Sequence, residues 1–187
     1  MITSVFETGS IVTDANDFSK ETTAAEKTEV SFGVKEIDLD ASRHRFLRGT
    51  KTTRGSCVYL PYAPGAINWV IPQGKAVLSS NFSGCWFAKY KLDGAIRVAH
   101  VGTPQCNDLW AEIKTRQGFQ LICEFKPTDA VDTKKQFELL SGREGAGGII
   151  IGLITSDDKC FMGFGAYKLD QKLGKSVYTA LMWKKMN

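Results

Sequence analysis

At 187 residues, with 43% hydrophobic and 24% charged side chains, the chain can bury a core within the ordinary size range of one domain. Its net charge of +4 is mild and its Lys and Arg residues are scattered, which argues against the concentrated basic stripe of a nucleic-acid binder; Lys184-Lys185 after Trp183 is too short to count. No apolar run approaches the roughly eighteen residues of a membrane helix, and Met1 to Lys20 lacks the basic start and apolar core of a secretory signal. The expected protein is therefore a monomer that engages neither membrane nor nucleic acid.

Residues 1–30 are rich in Thr, Ser, Asp, Glu and Lys, so they read as a flexible N-terminal lead-in, with a short helix around Ala24 to Lys27. Residues 31–187 read as a single domain. From about residue 45, short apolar runs are cut by Gly, Pro, Asn and Asp. Ser56 to Leu60 reads as a strand ended by Pro61-Tyr62-Ala63-Pro64-Gly65, and Ala66 to Ile71 as a second, stopped by Pro72-Gln73-Gly74. Trp86 to Lys91 and Ala95 to Val101 flank Leu92-Asp93-Gly94, where Asp-Gly between β-prone runs predicts a hairpin. Asn107 to Lys114 reads as a helix capped by Asn107, and Gln120 to Lys126 as a strand. Asp132 to Leu140 reads as a helix with Asp129 or Asp132 as its cap and Gly142 as its exit. Gly148 to Thr155 and Cys160 to Tyr167 form a further expected hairpin, and Ser176 to Trp183 a closing strand. The predicted class is α+β, mostly β: a sandwich of mixed sheets with one or two helices.

Five cysteines at wide spacings, with no CxxC pair and only two histidines, predict no metal site and no cofactor; reduced thiols in a reducing compartment fit better. Cys85 follows Ser83-Gly84 at the entrance to a strand. Gly84 leaves the backbone beside the thiol bare for a substrate carbonyl, and nearby N–H groups can serve as oxyanion donors. With Asp93 and Gly94 as a two-residue loop, Cys85 falls one diagonal step from His100, at roughly 7–8 Å and on the same face. A neighbouring imidazole can hold a thiol as thiolate and then protonate a leaving group. The plainer reading makes Cys85 a small buried residue and His100 a hydrogen-bonded strand residue.

The stretch Ser80-Asn81-Phe82-Ser83-Gly84-Cys85, followed by His100-Val101-Gly102-Thr103, resembles the catalytic core of the cytotoxic necrotizing factor family of glutamine deamidases. That family carries a Leu-Ser-Gly-Cys motif with a histidine fifteen residues later, the interval found here between Cys85 and His100. Burkholderia lethal factor and the chemoreceptor glutamine deamidases share the Cys–His arrangement with different spacing. The resemblance covers residues 80–103, and Phe82 stands where the family has Leu. It implies a β-sandwich catalytic domain spanning 31–187, with Cys85 as nucleophile, His100 as base, and Ser83, Gly84 and Thr103 in support. It also implies a backbone carbonyl that orients the imidazole. The implied activity converts a glutamine side chain of a target protein to glutamate, as a hydrolase serving a bacterial toxin or virulence effector. The implied partner is a protein substrate, with Rho-type small GTPases the first candidates. The enzyme would start in the bacterial cytoplasm and act in the host cytosol.

The competing classes are a transglutaminase-like enzyme, a cysteine protease, and a non-enzymatic β-sandwich binding module. A protease would place its nucleophile at a helix start with the histidine far downstream. Cys57, Cys106, Cys123 and Cys160 read as structural, His44 between Arg43 and Arg45 as solvated, and Trp69, Trp86, Trp110 and Trp183 as core. Gly142, Gly145, Gly147 and Gly148 read as a flexible loop, since no GxxxxGK[ST] pattern accompanies them.

Overall fold

In the computed structural model, residues 11–12, 28–31, 35–42, 53–170 and 175–187 are described. Their strands are β1 (Ile11–Val12), β2 (Thr28–Val30), β3 (Lys35–Ser42), β4 (Thr53–Leu60), β5 (Ala66–Val70), β6 (Val77–Ser80), β7 (Trp86–Leu92), β8 (Ala95–Val101), β9 (Gln120–Phe125), β10 (Gly147–Ile154), β11 (Cys160–Asp170) and β12 (Lys175–Lys185). Two helices, α1 (Asn107–Thr115) and α2 (Thr133–Leu140), and a short 3-10 turn at Pro127–Ala130 complete the set. The fold is α+β and mostly β, built on two mixed sheets.

One sheet runs β1-β12-β11-β10-β6-β4-β3 and closes into a barrel because β1 pairs with both β12 and β3. The other has five strands in the order β2-β5-β8-β7-β9. Each contains one parallel pair among antiparallel ones, β4 with β6 and β2 with β5. Alternation along β7 divides its side chains between two layers. Phe87 joins a buried cluster with Leu60, Val77, Ile150 and Phe164 of the barrel, while Ala88, Tyr90 and Leu92 pack with Trp110 and Ile113 of α1. The five-stranded sheet is thus covered by the barrel on one face and by α1 on the other, and Phe87, His100 and Asn68 on the barrel side are sealed from water.

The Asp93-Gly94 hairpin forms as its sequence demands. Asp93 and Gly94 both take positive φ, 51° and 78°, the left-handed geometry of a tight two-residue turn. That turn fixes the register from Leu92↔Ala95 through Phe87↔His100 to Trp86↔Val101. Helix α2 is capped by Asp132, whose carboxylate accepts from Lys135 N–H at 2.7 Å, and Gly142 leaves it at φ 75°.

Several expectations are corrected. The residue at the N-cap of α1 is Cys106, not Asn107, and no side chain caps that end. The lead-in is not wholly unstructured: Ile11–Val12 closes the barrel and Thr28–Val30 pairs with β5, where the Glu29 carboxylate meets Arg97 at 3.1 Å and Arg116 at 3.1 Å. Those two ion pairs anchor a segment whose own apolar content is small. Gly147 belongs to β10 rather than a loop, and a Cβ there would meet Tyr167 Cε1 at 2.6 Å. The Ala24 to Lys27 helix and His44 lie outside the described residues.

Candidate active site

Cys85 is the last residue of the β6–β7 connection, immediately before β7 and not at a helix start. The connection turns sharply: Asn81 has φ 65° and Gly84 φ 116°, a value that only glycine adopts without strain. Thr103 Oγ1 donates to the Gly84 carbonyl at 2.8 Å, so the residue after the β8 end ties down the residue before the thiol. Ser83 is exposed at the tip of this loop. Gly102 brings β8 close to the start of β5, donating to Ala66 O at 2.9 Å, and a Cβ on it would stand only 2.8 Å from that same oxygen. Glycine between Val101 and Thr103 is therefore a steric requirement.

His100 sits in β8 between Phe87 of β7 and Asn68 of β5, facing the barrel. Its ring stacks on Phe82 with centroids 4.1 Å apart and planes 6° from parallel, and Tyr62 lies 5.0 Å away on a tilted plane. Phe82, Cys85 and Phe87 belong to one buried cluster. His100 is 0% exposed and Cys85 1%. Burial disfavours the imidazolium and pulls the His100 pKa down to about 3, so the ring is neutral at neutral pH.

The hydrogen bonds identify which ring nitrogen carries the proton. Ser79 of β6 donates its hydroxyl hydrogen to the Leu60 carbonyl at 2.6 Å. The same oxygen lies 2.8 Å from His100 Nδ1, and with its only hydrogen spent it can only accept there. Nδ1 is therefore the protonated nitrogen, and Nε2 carries a bare lone pair. Among the described residues, Nε2 is buried without a hydrogen-bond partner. No hydrogen bond joins it to Cys85, and the two residues stand one diagonal step apart in register.

Of the residues singled out by sequence, the fold brings Gly84 and Thr103 into contact and sets Cys85 and His100 in one buried layer. Reading the sequence missed Ser79 and Tyr62, and it missed Asn68, whose amide donates to Pro61 O at 2.8 Å beside His100. Ser79 carried no usable signal, since it approaches His100 only because two different sheets pack together. Among the described residues, no group of three or more His, Cys, Asp or Glu side chains is placed to hold a metal ion, and no helix is long and apolar enough to cross a membrane. No protein-family model, curated protein or solved structure matches the chain.

Proposed function

We propose that this chain is a thiol-dependent protein-glutamine deamidase, a bacterial toxin or effector in which Cys85 is the nucleophile and His100 moves the protons. The observation that carries the reading is the unpartnered, unprotonated Nε2 of His100, oriented through Nδ1 by the Ser79 hydroxyl and the Leu60 carbonyl behind it. A buried lone pair without a partner costs roughly 1–3 kcal/mol, and a proton or substrate delivered to Nε2 would offset it. Held in this tautomer, the ring can accept a proton only at Nε2.

The chemistry then balances. Loop opening hydrates the ring and raises its pKa from the value that burial imposes; Cys85 then passes its thiol proton to Nε2, and the thiolate adds to the glutamine side-chain carbonyl. Collapse of the adduct breaks the carbon–nitrogen bond, and Nε2–H protonates the departing ammonia. Water attacks the thioester while Nε2 takes its proton, and the thiolate leaves as glutamate forms. An amine in place of water gives transglutamination at the same centre. Access requires the closed site to open. The Asn81–Gly84 loop, held by the Thr103 bond to the Gly84 carbonyl and by the Phe82 N–H on the Ile150 carbonyl at 3.5 Å, is the segment that moves to admit a glutamine side chain.

A second reading, a non-enzymatic binding module, draws on the burial of both residues and on the Phe82 stack. Activity separates the two. Host-cell protein exposed to the chain, with Rho-type GTPases as first candidates, is expected to gain roughly one dalton at a glutamine with stoichiometric ammonia release. Both signals are expected to vanish in Cys85→Ala and His100→Ala variants that retain the fold. Full activity in Cys85→Ala ends the deamidase reading.

A further inference from the structure

Away from Cys85 and His100, two further cysteines lie at the seam between the sheets. Cys123 lies on β9, the edge strand of the five-stranded sheet, directly opposite Lys89 of β7. Cys160 opens β11 of the barrel and is 1% exposed, whereas Cys123 is only half-buried. Cys123 packs against the buried cluster that contains Cys160, and both residues border the same Lys89–Asp158 pair. Beside them Lys89, 5% exposed, forms an ion pair with Asp158 of the β10–β11 turn, and the Cys160 thiol lies 3.9 Å from the Asp158 carbonyl. Cys57, Cys85 and Cys106 are each at most 1% exposed, so Cys123 is the one cysteine of the five that solvent reaches appreciably.

We propose that Cys123 and Cys160 are an oxidisable pair, a thiol modification site at which Cys123 reacts first and Cys160 resolves it into a disulfide joining β9 to β11. The surroundings divide the two roles. The neighbouring Cys160 thiol, with the Lys89 N–H and ammonium, holds the Cys123 thiol below its ordinary pKa despite burial and the opposing Asp158 charge. The same contact, followed by burial, holds Cys160 above its ordinary value. A low-pKa thiol that solvent reaches, backed by a resolving thiol, is the arrangement that redox-responsive cysteines share. With a peroxide, the Cys123 thiolate takes one oxygen to become a sulfenic acid and hydroxide leaves. The Cys160 thiol then displaces water as the sulfur–sulfur bond forms. With glutathione disulfide, Cys123 first forms a mixed disulfide and Cys160 expels glutathione thiol. In either case the pair loses two electrons and two protons to the oxidant. The bond encloses the segment bearing α2 and β10, and it fastens an edge strand to the barrel.

The test uses the full chain in its reduced form, incubated with glutathione disulfide and read by intact mass and non-reducing peptide mapping. The expected product has lost about two daltons, the mass of two hydrogens, with the peptides containing Cys123 and Cys160 joined to each other. Dithiothreitol is expected to reverse the change, and the oxidised form to melt several degrees above the reduced one. A glutathione adduct that persists on Cys123 while Cys160 stays free would overturn the proposal. So would a cross-link through any other cysteine, or no reaction at either residue. The mapping is done on the native sequence, so its result does not depend on a variant folding, and it is independent of any activity at Cys85.

Discussion

His100 concentrates the physical cost of this fold in one ring. An imidazole that titrates near 6.5 in the unfolded chain takes its proton near about 3 when folded, because burial penalises the cation. Between those values the unfolded state binds the extra proton. Stability therefore falls as pH drops from about 6.5, and it does not change through this group above that point. Urea titrations at pH 7 and pH 5 should show the native chain losing about 2 kcal/mol more than a His100→Gln variant over the same interval. Equal losses would mean that His100 is not held neutral by burial. The tautomer has its own signature. In nitrogen NMR spectra, Nδ1 of His100 is expected to resonate as a protonated ring nitrogen and Nε2 as an unprotonated one. Ser79→Ala should blur that assignment and lower kcat with little change in KM, because it frees the ring to rotate and leaves both Nδ1–H and the Leu60 carbonyl unpaired. The reverse tautomer in the native chain would remove Nε2 as the base.

At the scale of elements, the site is held by β10 of the barrel as much as by the hairpin that carries it. Gly152 faces the seam, and a Cβ there would lie 2.7 Å from Phe87 Cδ1, 3.0 Å from Phe82 Cε2 and 3.2 Å from Pro127 Cγ. Gly152→Ala is thus expected to push on the two phenylalanines that border His100, at a cost of about 1–3 kcal/mol by thermal or urea unfolding. An unchanged midpoint would mean that the two sheets are less tightly interlocked there. The β7–β8 hairpin was legible in the chain because Asp93-Gly94 admits only a narrow set of turns, and β10–β11 was legible from its long apolar runs. Strand β6 was not. Its four residues Val77–Ser80 are all buried, so no alternation marks them, and two of the four are serines. Strand β3 carries a period-two pattern in its sequence, with Ile37, Leu39 and Ala41 alternating with Glu36, Asp38 and Asp40. Lack of a local pattern also hid the orienting half of the site. Cys85 and His100 are linked by a local turn, whereas Ser79 reaches His100 through tertiary packing that no local pattern encodes. Glu29 is a parallel case, joined to Arg97 and Arg116 only by the folded sheet.

For the whole molecule, the central issue is how a nucleophile and base sealed between a barrel and a sheet come to meet a protein substrate. A structural cysteine in this position stays inert until the protein unfolds. A working one is exposed by local opening of the Asn81–Gly84 loop, at a fraction of the global unfolding free energy. The alkylation rate of Cys85 by iodoacetamide in the native chain, followed by peptide mass against the other four cysteines, distinguishes these cases without knowledge of the target protein. At neutral pH Cys85 is expected to be alkylated far faster than equally buried Cys57 and Cys106, and replacing His100 by Gln is expected to slow Cys85 alone by roughly tenfold or more. Cys85 labelling only at the rate of global unfolding, unaffected by His100, would contradict the proposed chemistry.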